Sequence, residues 1–395
     1  MPWNEVSVVD QRREFVRLAS VEGANRRELC RRFGISAGTG YKWLLRSAAG
    51  EMGLADRSRR PLTSPKRSAA NVEAAILAIR DAHPAWGARK ITTCLAREMT
   101  EVPACSTVHA ILVRHGRIGP LPGGPRATLR FEKEAPNLLW QMDFKGSVPM
   151  GNGQRLHPLT VVDDHSRFAL CLAAGVSQTN AAVQARLTPV FQRYGLPQAM
   201  FVDNGTPWGD SSGACWTRFG VWLLKLGIDV IHSRPYHPQS RGKIERFHRS
   251  LNAEVLALRL LRDLDDAQAA FDAWRSVYNF ERPHEALAFA TPARHYHISQ
   301  RAMPEHLPEP EYEHGEVVRK ISKTDTRIAF KGRFWRVPQA FGGERLAIRP
   351  LNTDGLYGVY FASHHVATID LTKPRSVSHV CDHMKHNAKF APQFP

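Results

Sequence analysis

The sequence predicts a multidomain protein with an all-α helix-turn-helix region at the N-terminus, a central α/β domain built on a mixed sheet, and a small C-terminal β-barrel. Three observations support this fold class. A chain of 395 residues has room for two to four domains of ordinary size. Apolar residues recur at helical spacing in the first third, in short runs between helical stretches after residue 137, and in short runs between turns after residue 316. Segments rich in proline, glycine or charge separate these parts.

The chain is strongly basic, and the excess charge is concentrated near the N-terminus. It contains 54 Lys and Arg against 37 Asp and Glu, which gives a formal net charge of +17. Residues 1–136 hold 23 basic and 13 acidic residues, whereas residues 137–300 hold 17 and 14. A surface this positive gains binding free energy by releasing counterions from a polyanion. We therefore expect a nucleic acid partner and no membrane.

Several features restrict the compartment in which the protein is expected. No stretch approaches the ~18 consecutive apolar residues of a membrane-spanning helix, and residues 1–5 carry no basic and then apolar export signal. The six cysteines include no Cys-x-x-Cys pair, which disfavours a disulfide framework and a four-cysteine zinc site. The sequence therefore predicts a soluble, cytoplasmic protein.

Residues 1–50 are predicted to form a helix-turn-helix domain. Residues 10–22 have helical spacing, and Asn25 followed by Glu28 has the capping-box pattern of a second helix. Ser36 can cap a third helix over residues 37–46, which in this layout enters a DNA major groove. Basic side chains of the second and third helices are predicted to hold DNA phosphates, namely Arg26, Arg27, Arg31, Arg32, Lys42 and Arg46. The alternative is a three-helix bundle whose charges only face solvent.

A second helical unit lies between two predicted linkers. Residues 51–70 are basic and contain prolines, and residues 120–136 include a run rich in proline and glycine. Residues 71–119 show three helical periods, with Ser106 as the expected cap of the last helix. Two interpretations stay open for this unit: a second helical DNA-binding domain or a spacer bundle.

Residues 137–300 have the element order of a ribonuclease-H-like core. Three strands in succession are followed by alternating helices and strands. The elements are expected at 138–144, 159–162, 168–173, 181–194, 198–202, 214–226, 228–232 and 242–260. Three acids lie at the ends of these elements. Asp143 lies within or at the end of the first strand, Asp203 ends the fourth strand, and Glu245 lies in the first turn of the last helix.

These three acids are candidates for a metal site that handles phosphodiesters. Cutting or joining such a bond develops charge on the attacking and the leaving oxygen, and two Mg²⁺ ions ~3.5–4 Å apart can neutralise both. Mg²⁺ prefers oxygen ligands, so converging carboxylates suffice without histidine or cysteine. An Asp-Asp-Glu triplet is not specific by itself in a chain with 37 acids.

The residues around the acids supply the missing specificity. Five motifs matter: WQMD at 140–143, DDHSR at 163–167, VDNGTPWG at 202–209, RPYHPQSRGKIERFHR at 234–249 and YNFERPHEAL at 278–287. Together they resemble the integrase core of bacterial insertion-sequence transposases of the DDE type, a superfamily that also includes the retroviral integrases. The resemblance covers about residues 10–300 and is closest to elements whose single product joins a helix-turn-helix to this core.

The resemblance implies an activity and a set of catalytic residues. Asp143, Asp203 and Glu245 correspond to the catalytic acids that bind Mg²⁺ or Mn²⁺ in the family. Family members cut the ends of their element and join the freed 3′-hydroxyl to target DNA. The substrate would be double-stranded DNA, both element ends and target. Two ends must meet, so a dimer or larger assembly on DNA, associated with the bacterial nucleoid, is expected.

The sequence departs from the family pattern in two places. Asp203 and Glu245 are separated by 41 residues, more than is usual, and the loop at 208–215 can hold the surplus. Asn252 stands where the family commonly has Lys or Arg seven residues after the glutamate. Arg249, one turn after Glu245, and Lys243 are therefore predicted to contact DNA.

Other polar groups near these motifs have structural interpretations. Asp163 and Asp164 are predicted to cap a turn rather than to bind metal. The segment 282–284 is interpreted mainly as the end of a helix, with a DNA contact as a secondary role. That helix is expected to pack through Phe271, Trp274 and Tyr278.

The C-terminal part is expected to be a linker, a β domain and a tail. Residues 301–315 are the linker, residues 316–372 show six short strands typical of a small β-barrel, and residues 373–395 are the tail. In similar transposases such a domain contacts DNA and partner subunits. The tail contains His379, Cys381, His383 and His386, whose spacing matches no zinc finger, so whether it binds metal stays open.

Three functions are compatible with these residues. The first is a DNA transposase that uses two metal ions for phosphoryl transfer. The second is a non-catalytic helix-turn-helix regulator derived from a transposase, which the three intact acids disfavour. The third is a nuclease for RNA–DNA hybrids, which the helix-turn-helix disfavours because a nonspecific nuclease needs no domain that reads sequence.

Overall fold

The computed structural model describes residues 7–48, 50–56, 67–119, 132–209, 216–232, 242–373 and 377–379. The chain divides into two compact units, Met1–Ser68 and Ala69–Pro395. In these described ranges no helix is both long and apolar enough to cross a membrane.

Four helices form the described part of the first unit. They are α1 (Val8–Ala19), α2 (Arg26–Arg32), α3 (Ala37–Ser47) and α4 (Glu51–Leu54). As predicted, the Asn25 side chain caps α2 by accepting from the backbone N–H of residue 28, and the Ser36 hydroxyl caps α3 by accepting from that of residue 39. Gly40 allows the close approach of α3, because a Cβ there would lie 2.9 Å from the Phe15 ring and 2.5 Å from Cys30 Sγ.

The second unit opens with a three-helix bundle. Its helices are α5 (Ala70–Ala82), α6 (Ala88–Glu98) and α7 (Cys105–Arg114), which bury a common core around Ile76, Ile91 and Leu112. The predicted cap at Ser106 is wrong. The helix begins one residue earlier, after Ala104, and has no side-chain cap, so Ser106 lies within its first turn.

The bundle is attached to the central domain by α6. Arg97 Nη1 donates to the backbone oxygen of Glu281 at 2.8 Å, and Arg89 forms an ion pair with Glu285. Val277 of the central domain packs against the bundle core. The two linked parts therefore belong to one compact unit.

The central domain contains a five-stranded mixed sheet, as predicted. The strands are β1 (Leu139–Phe144), β4 (Leu159–Asp163), β5 (Ala169–Ala173), β6 (Ala199–Val202) and β7 (Asp229–His232), with a small hairpin of β2 (Val148–Pro149) and β3 (Arg155–Leu156) inserted. The order is β5-β4-β1-β6-β7. Strand β1 runs antiparallel to β4 and parallel to β6, and β6 runs parallel to β7.

Helices cover both faces of this sheet. Helices α8 (Asn180–Tyr194) and α9 (Arg218–Lys225) pack on one face, where the core includes Trp140, Met142 and Phe191. Helices α10 (Gly242–Leu251) and α11 (Leu264–Ser276) form a second core on the opposite face with Val162. Phe271, Trp274 and Tyr278 belong to this second core, so their predicted packing role is confirmed.

Helix α10 is shorter than predicted. The regular α-helix ends at Leu251, and a π-helical turn follows over Asn252–Leu256, closed by a 2.8 Å bond from the amide of Ala257 to the oxygen of Asn252. The predicted extension to residue 260 is wrong. Side-chain periodicity does not distinguish a helix that continues from one that widens into a π-turn.

The C-terminal domain is an open antiparallel sheet with a separate hairpin. The strands are β8 (Val317–Lys320), β9 (Arg327–Phe330), β10 (Arg333–Arg336), β11 (Arg345–Pro350), β12 (Leu356–Phe361), β13 (His364–Asp370) and β14 (Val377–His379). The sheet order is β14-β13-β12-β11-β8, and β9 pairs only with β10 among the described strands. The described strands close no sheet, so the predicted barrel is not confirmed.

The β9–β10 hairpin has a tight turn, and its second strand contributes to the domain core. Lys331 and Gly332 join β9 to β10 with φ values of 50° and 69°, the left-handed conformation that a two-residue hairpin turn requires. Trp335 is buried in the domain core. Helix α9 contributes to the same core, and the rings of Trp216 and Phe341 lie 5.3 Å apart. The C-terminal sheet therefore packs directly against the central domain.

Candidate active site

Asp143 and Asp203 lie towards the same ends of two paired strands, β1 and β6. These strands are parallel, and Gln141 pairs with Phe201. Asp203 follows β6 directly, so we expect a continuation of this register by two residues to bring its backbone next to that of Asp143. Alternate strand residues share a face, so both carboxylates belong to the face of Gln141 and Phe201.

Helix α10 lies against this same face and carries the third acid. His248 Nε2 is 2.8 Å from Thr160 Oγ1 on β4, and His248 Nδ1 is 4.0 Å from the Asp143 carboxylate. Thr160 donates its only hydroxyl proton to the backbone oxygen of Asp143 at 2.8 Å, so His248 Nε2 must be the donor in the first contact. Glu245 lies one turn before His248 and is exposed.

A tight loop after β6 fixes the Asp203 backbone and side chain. The amide of Gly205 donates to Asp203 Oδ1 at 3.0 Å, and His232 Nδ1 donates to the Asp203 backbone oxygen at 3.0 Å. Burial lowers the pKa of His232, although its contact with Asp203 acts in the opposite direction. A Cβ at Gly209 would lie 2.1 Å from the backbone oxygen of Asn204, so only glycine fits there.

Asp164 forms a buried junction that the sequence interpretation missed. Its Oδ1 accepts from Gln141 Nε2 at 2.8 Å, and its Oδ2 accepts from the Lys133 amide at 2.8 Å. Lys243 Nζ lies 2.6 Å from the same Oδ2 and 3.1 Å from the Asp164 backbone oxygen. Burial lowers the pKa of Lys243 to about 8, against the opposing effect of the Asp164 carboxylate.

Asp163 has the turn-capping role that was predicted for both aspartates. Its Oδ1 accepts from the Asn137 amide at 2.8 Å, and its Oδ2 accepts from the amide and hydroxyl of Ser166, each at 2.7 Å. Burial raises the pKa of Asp163, although these hydrogen bonds act in the opposite direction. Asp163 and Asp164 are adjacent in sequence, but it is the Asp164 carboxylate that contacts side chains of both β1 and α10.

The donor chemistry of this face fits divalent cations of the Mg²⁺ type. Asp143 is only 15% exposed, and Asp203 follows the end of a parallel strand where carboxylate oxygens can meet. Within the described ranges, however, no three His, Cys, Asp or Glu side chains lie close enough together to hold one metal ion. The residues just before α10, 233–241, are outside the described part. The structure thus brings the carriers of the three acids to one face without forming a complete ligand cluster.

Comparison with known protein families shows matches along most of the chain. A helix-turn-helix domain model matches residues 11–61, and a homeodomain-like domain model matches residues 39–112. Two integrase core domain models match residues 133–238 and 226–292. The C-terminal domain of the IS481 family transposases matches residues 316–376. The order of these matches is the order of the domains described above.

Individual relatives agree with the family matches. The protein of insertion element IS476 from Xanthomonas euvesicatoria is 27% identical over 59% of this chain and 66% of its own length. The protein of insertion element IS407 from Burkholderia multivorans is 28% identical over 40% of this chain and 55% of its own. This chain belongs to the insertion-sequence transposases with an integrase core.

A viral relative extends the likeness beyond bacterial elements. The Pro-Pol polyprotein of simian foamy virus type 1 is 35% identical over 27% of the transposase chain and 8% of the polyprotein. The match spans about two thirds of the length of the IS476 protein and about half of the length of the IS407 protein.

The predicted DNA contacts of the transposase lie mostly on the first unit. The basic residues of α2 are exposed, and Arg31 forms a 3.1 Å ion pair with Glu28 on the same helix. On α3, Lys42 and Arg46 lie against the Trp43 ring, 5.0 and 4.9 Å from its centroid. Arg26 donates to the Ala19 backbone oxygen. The phosphate contacts of Arg26, Arg27, Arg31, Arg32, Lys42 and Arg46 stay predictions.

The two predicted contacts near Glu245 have different surroundings. Arg249 is exposed on α10. Lys243 is engaged with Asp164, and its side chain is 15% exposed, so a DNA contact would have to compete with a buried ion pair. The structure gives Lys243 a role inside the fold of the transposase, and its DNA contact stays a prediction.

The segment 282–284 is mainly structural, as interpreted from the sequence. Arg282 Nε donates to Glu254 Oε1 at 3.0 Å, and the Arg282 and Glu254 side chains are 10% and 8% exposed. His284 is buried against the Tyr278 ring, and burial lowers its pKa to about 2. Of the possible tail ligands, His379 ends β14 with its side chain undescribed, and Cys381, His383 and His386 lie outside the described residues.

Proposed function

We propose that this transposase binds the ends of its element, cleaves a DNA strand there and joins the freed 3′-hydroxyl to target DNA. The observation that carries the proposal is the register of β1 and β6. The pairing of Gln141 with Phe201 favours a position of Asp143 next to Asp203, on the face against which α10 packs, and Glu245 lies on α10. The matches to integrase core domains over residues 133–292 favour the same chemistry.

The three acids would hold Mg²⁺ or Mn²⁺. When bound, a pair of such ions activates the attacking oxygen and neutralises charge on the leaving oxygen of the phosphodiester. Within the protein, His248 and Thr160 hold the backbone of Asp143 in place on β1. The Gly205 amide orients the Asp203 carboxylate. Each aspartate therefore has its own orienting contact, which limits the rearrangement that binding requires.

The helical regions would supply the binding to DNA. The first unit has the caps and helix order of a helix-turn-helix and matches a helix-turn-helix domain model. In that motif the last helix enters the major groove, which is α3 here. Since each strand-transfer event involves two element ends, we propose that at least two copies of the transposase assemble on DNA.

The test is a strand-transfer assay with the full-length protein. Labelled element-end DNA, a target plasmid and Mg²⁺ are incubated with the wild type, Asp203→Asn and Asp229→Asn. Asp203→Asn should lower cleavage and joining by at least about 100-fold, because it removes a charge needed only in the reaction, and should leave DNA affinity unchanged. Asp229 is exposed at the first residue of β7, so its variant should react like the wild type.

The same assay decides between the transposase and the two alternatives. Sequence-specific binding without any product would indicate a non-catalytic regulator. Degradation of the labelled DNA without joining would indicate a nuclease. Full activity of Asp203→Asn would refute the assignment of the acids.

A further inference from the structure

Asp164 contacts both structural elements that carry Asp143 and Glu245. Its carboxylate is fully buried and accepts from Gln141 on β1, while Lys243 on α10 lies 2.6 Å away. These two partners each stand two residues before a candidate catalytic acid.

A separation of two residues has a different consequence on a strand and on a helix. In both cases, fixing the residue that contacts Asp164 also restricts the position of the acid two residues later. On a strand, residues two apart share a face, so fixing the Gln141 side chain fixes the local orientation of Asp143. On a helix, residues two apart lie in the same turn. Holding Lys243 therefore fixes how the first turn of α10 is rotated about the helix axis and how far it lies from the sheet. That turn contains Glu245.

The contact is also well protected from solvent and independently anchored. The Lys243 side chain is 15% exposed, and its Nζ also donates to the Asp164 backbone oxygen at 3.1 Å. The Lys133 amide donates to Asp164 Oδ2 at 2.8 Å. A buried ion pair whose carboxylate also accepts hydrogen bonds from Gln141 and from the Lys133 amide has one preferred geometry, which is the property that a spacer between two elements needs.

We propose that Asp164 and Lys243 are positioning residues that set the distance between the Asp143 and Glu245 carboxylates and so prepare the metal site. This inference rests on the proposed function of the three acids. It assigns no contact with DNA or metal to Asp164 or Lys243 themselves.

Electrostatics and positioning predict opposite results for one substitution. Lys243→Met removes a cation close to the carboxylates, and this change alone should tighten the binding of a divalent cation. If Lys243 acts by positioning, the loss of its contact should weaken that binding, by about tenfold or more as for other residues that orient metal ligands. The sign of the change therefore identifies the role.

The experiment measures binding of Mn²⁺ alone to the full-length protein without DNA, by electron paramagnetic resonance of the free ion. Lys243→Met should raise the dissociation constant about tenfold or more, whereas Lys243→Arg, which keeps the cation, should stay within about threefold of the wild type. Arg282→Met is the matched control. It breaks another buried ion pair, with Glu254, together with a 2.9 Å hydrogen bond to Ser250 at the C-terminal end of α10, away from the first turn. It should also stay within about threefold although its melting temperature falls.

Each outcome has a defined meaning. Unchanged or tighter Mn²⁺ binding by Lys243→Met overturns the positioning role, as does equal weakening in Arg282→Met. If Lys243→Met does not fold by circular dichroism, the double variant Asp164→Asn/Lys243→Met, which buries no unpaired charge, is measured instead, with the same expected weakening. A wild type that binds no Mn²⁺ and makes no product overturns the proposed function itself, which distinguishes that failure from failure of this inference alone.

Discussion

At the scale of residues, the adjacent aspartates Asp163 and Asp164 have different roles, because their side chains point in different directions at the turn between β4 and β5. Asp163 accepts from Asn137 and Ser166 and stabilises the turn. Asp164 accepts from Gln141 and lies against Lys243, which links the sheet to α10. Asp164 and Lys243 are 79 residues apart in the sequence, so no local sequence pattern predicts that they form a pair.

His284 makes a prediction about pH at this scale. Burial lowers its folded-state pKa to about 2, so below the unfolded-state value near 6.5 the unfolded chain binds the proton more tightly. Its contribution to stability is therefore present above about pH 6.5 and is lost as the pH falls towards 2. Between roughly pH 6 and pH 4 it should make the free energy of unfolding fall by up to about 1.4 kcal/mol per pH unit.

The measurement is urea unfolding of the wild type and His284→Gln from pH 4.5 to pH 7.5. Glutamine does not titrate, so the variant should lose less stability on acidification. Equal slopes for the two proteins would contradict a buried neutral histidine at this position.

At the scale of elements, the geometry of the site depends on the loop after β6 and on α10. The loop over residues 203–209 is stabilised by an internal hydrogen bond, in which the Gly209 amide donates to the Gly205 backbone oxygen at 2.8 Å. Helix α10 packs through the buried Phe247 and Leu251 into the second core of the central domain, and Lys243 anchors its first turn to Asp164. Sequence periodicity predicted where both elements begin, but not the π-turn that follows α10.

Gly209→Ala tests the loop. A Cβ there would meet the Asn204 backbone oxygen at 2.1 Å, so the loop and Asp203 must shift. We expect strand cleavage to fall by about 100-fold, as displacement of a reacting group by ~1 Å can cause. The matched control is Gly87→Ala, where φ is −83° and no heavy atom lies within 4 Å of the added methyl.

Cleavage rates and melting temperatures of both variants are the measurements. Gly87→Ala should behave as the wild type in both. Wild-type cleavage by Gly209→Ala would show that the loop tolerates the methyl group and does not control Asp203.

At the scale of the whole molecule, the chain separates a basic helical unit from a unit that holds the candidate active site. Residues 1–68 contain 14 basic and 7 acidic residues, and their helices have a core of their own around Phe15 and Trp43. The second unit joins the α5–α7 bundle, the mixed sheet and the C-terminal sheet through shared cores and ion pairs. Binding of element ends and strand chemistry are therefore expected to be separable.

Removal of residues 1–68 tests this separation. The shortened protein should bind element-end DNA at least about tenfold more weakly, with a smaller dependence of affinity on salt, because fewer phosphate contacts release fewer counterions. Its binding of Mn²⁺ should be unchanged, since Asp143, Asp203 and Glu245 all lie in the second unit. Gel-shift titrations at several salt concentrations and Mn²⁺ titrations provide the comparison. Unaltered end binding by the shortened protein would assign recognition to α5–α7 or to the C-terminal sheet.

The sequence by itself determined the helix caps at Asn25 and Ser36, the strands of the mixed sheet and the family to which the chain belongs. These features depend on local hydrogen bonding, side-chain periodicity and short motifs, each of which involves residues that are close together in the sequence. Tertiary structure alone decided the junction at Asp164, the π-turn after Leu251 and the open form of the C-terminal sheet. Each of these depends on which distant backbone and side-chain groups become neighbours when water is excluded, and residues far apart in sequence give no local sign of that contact.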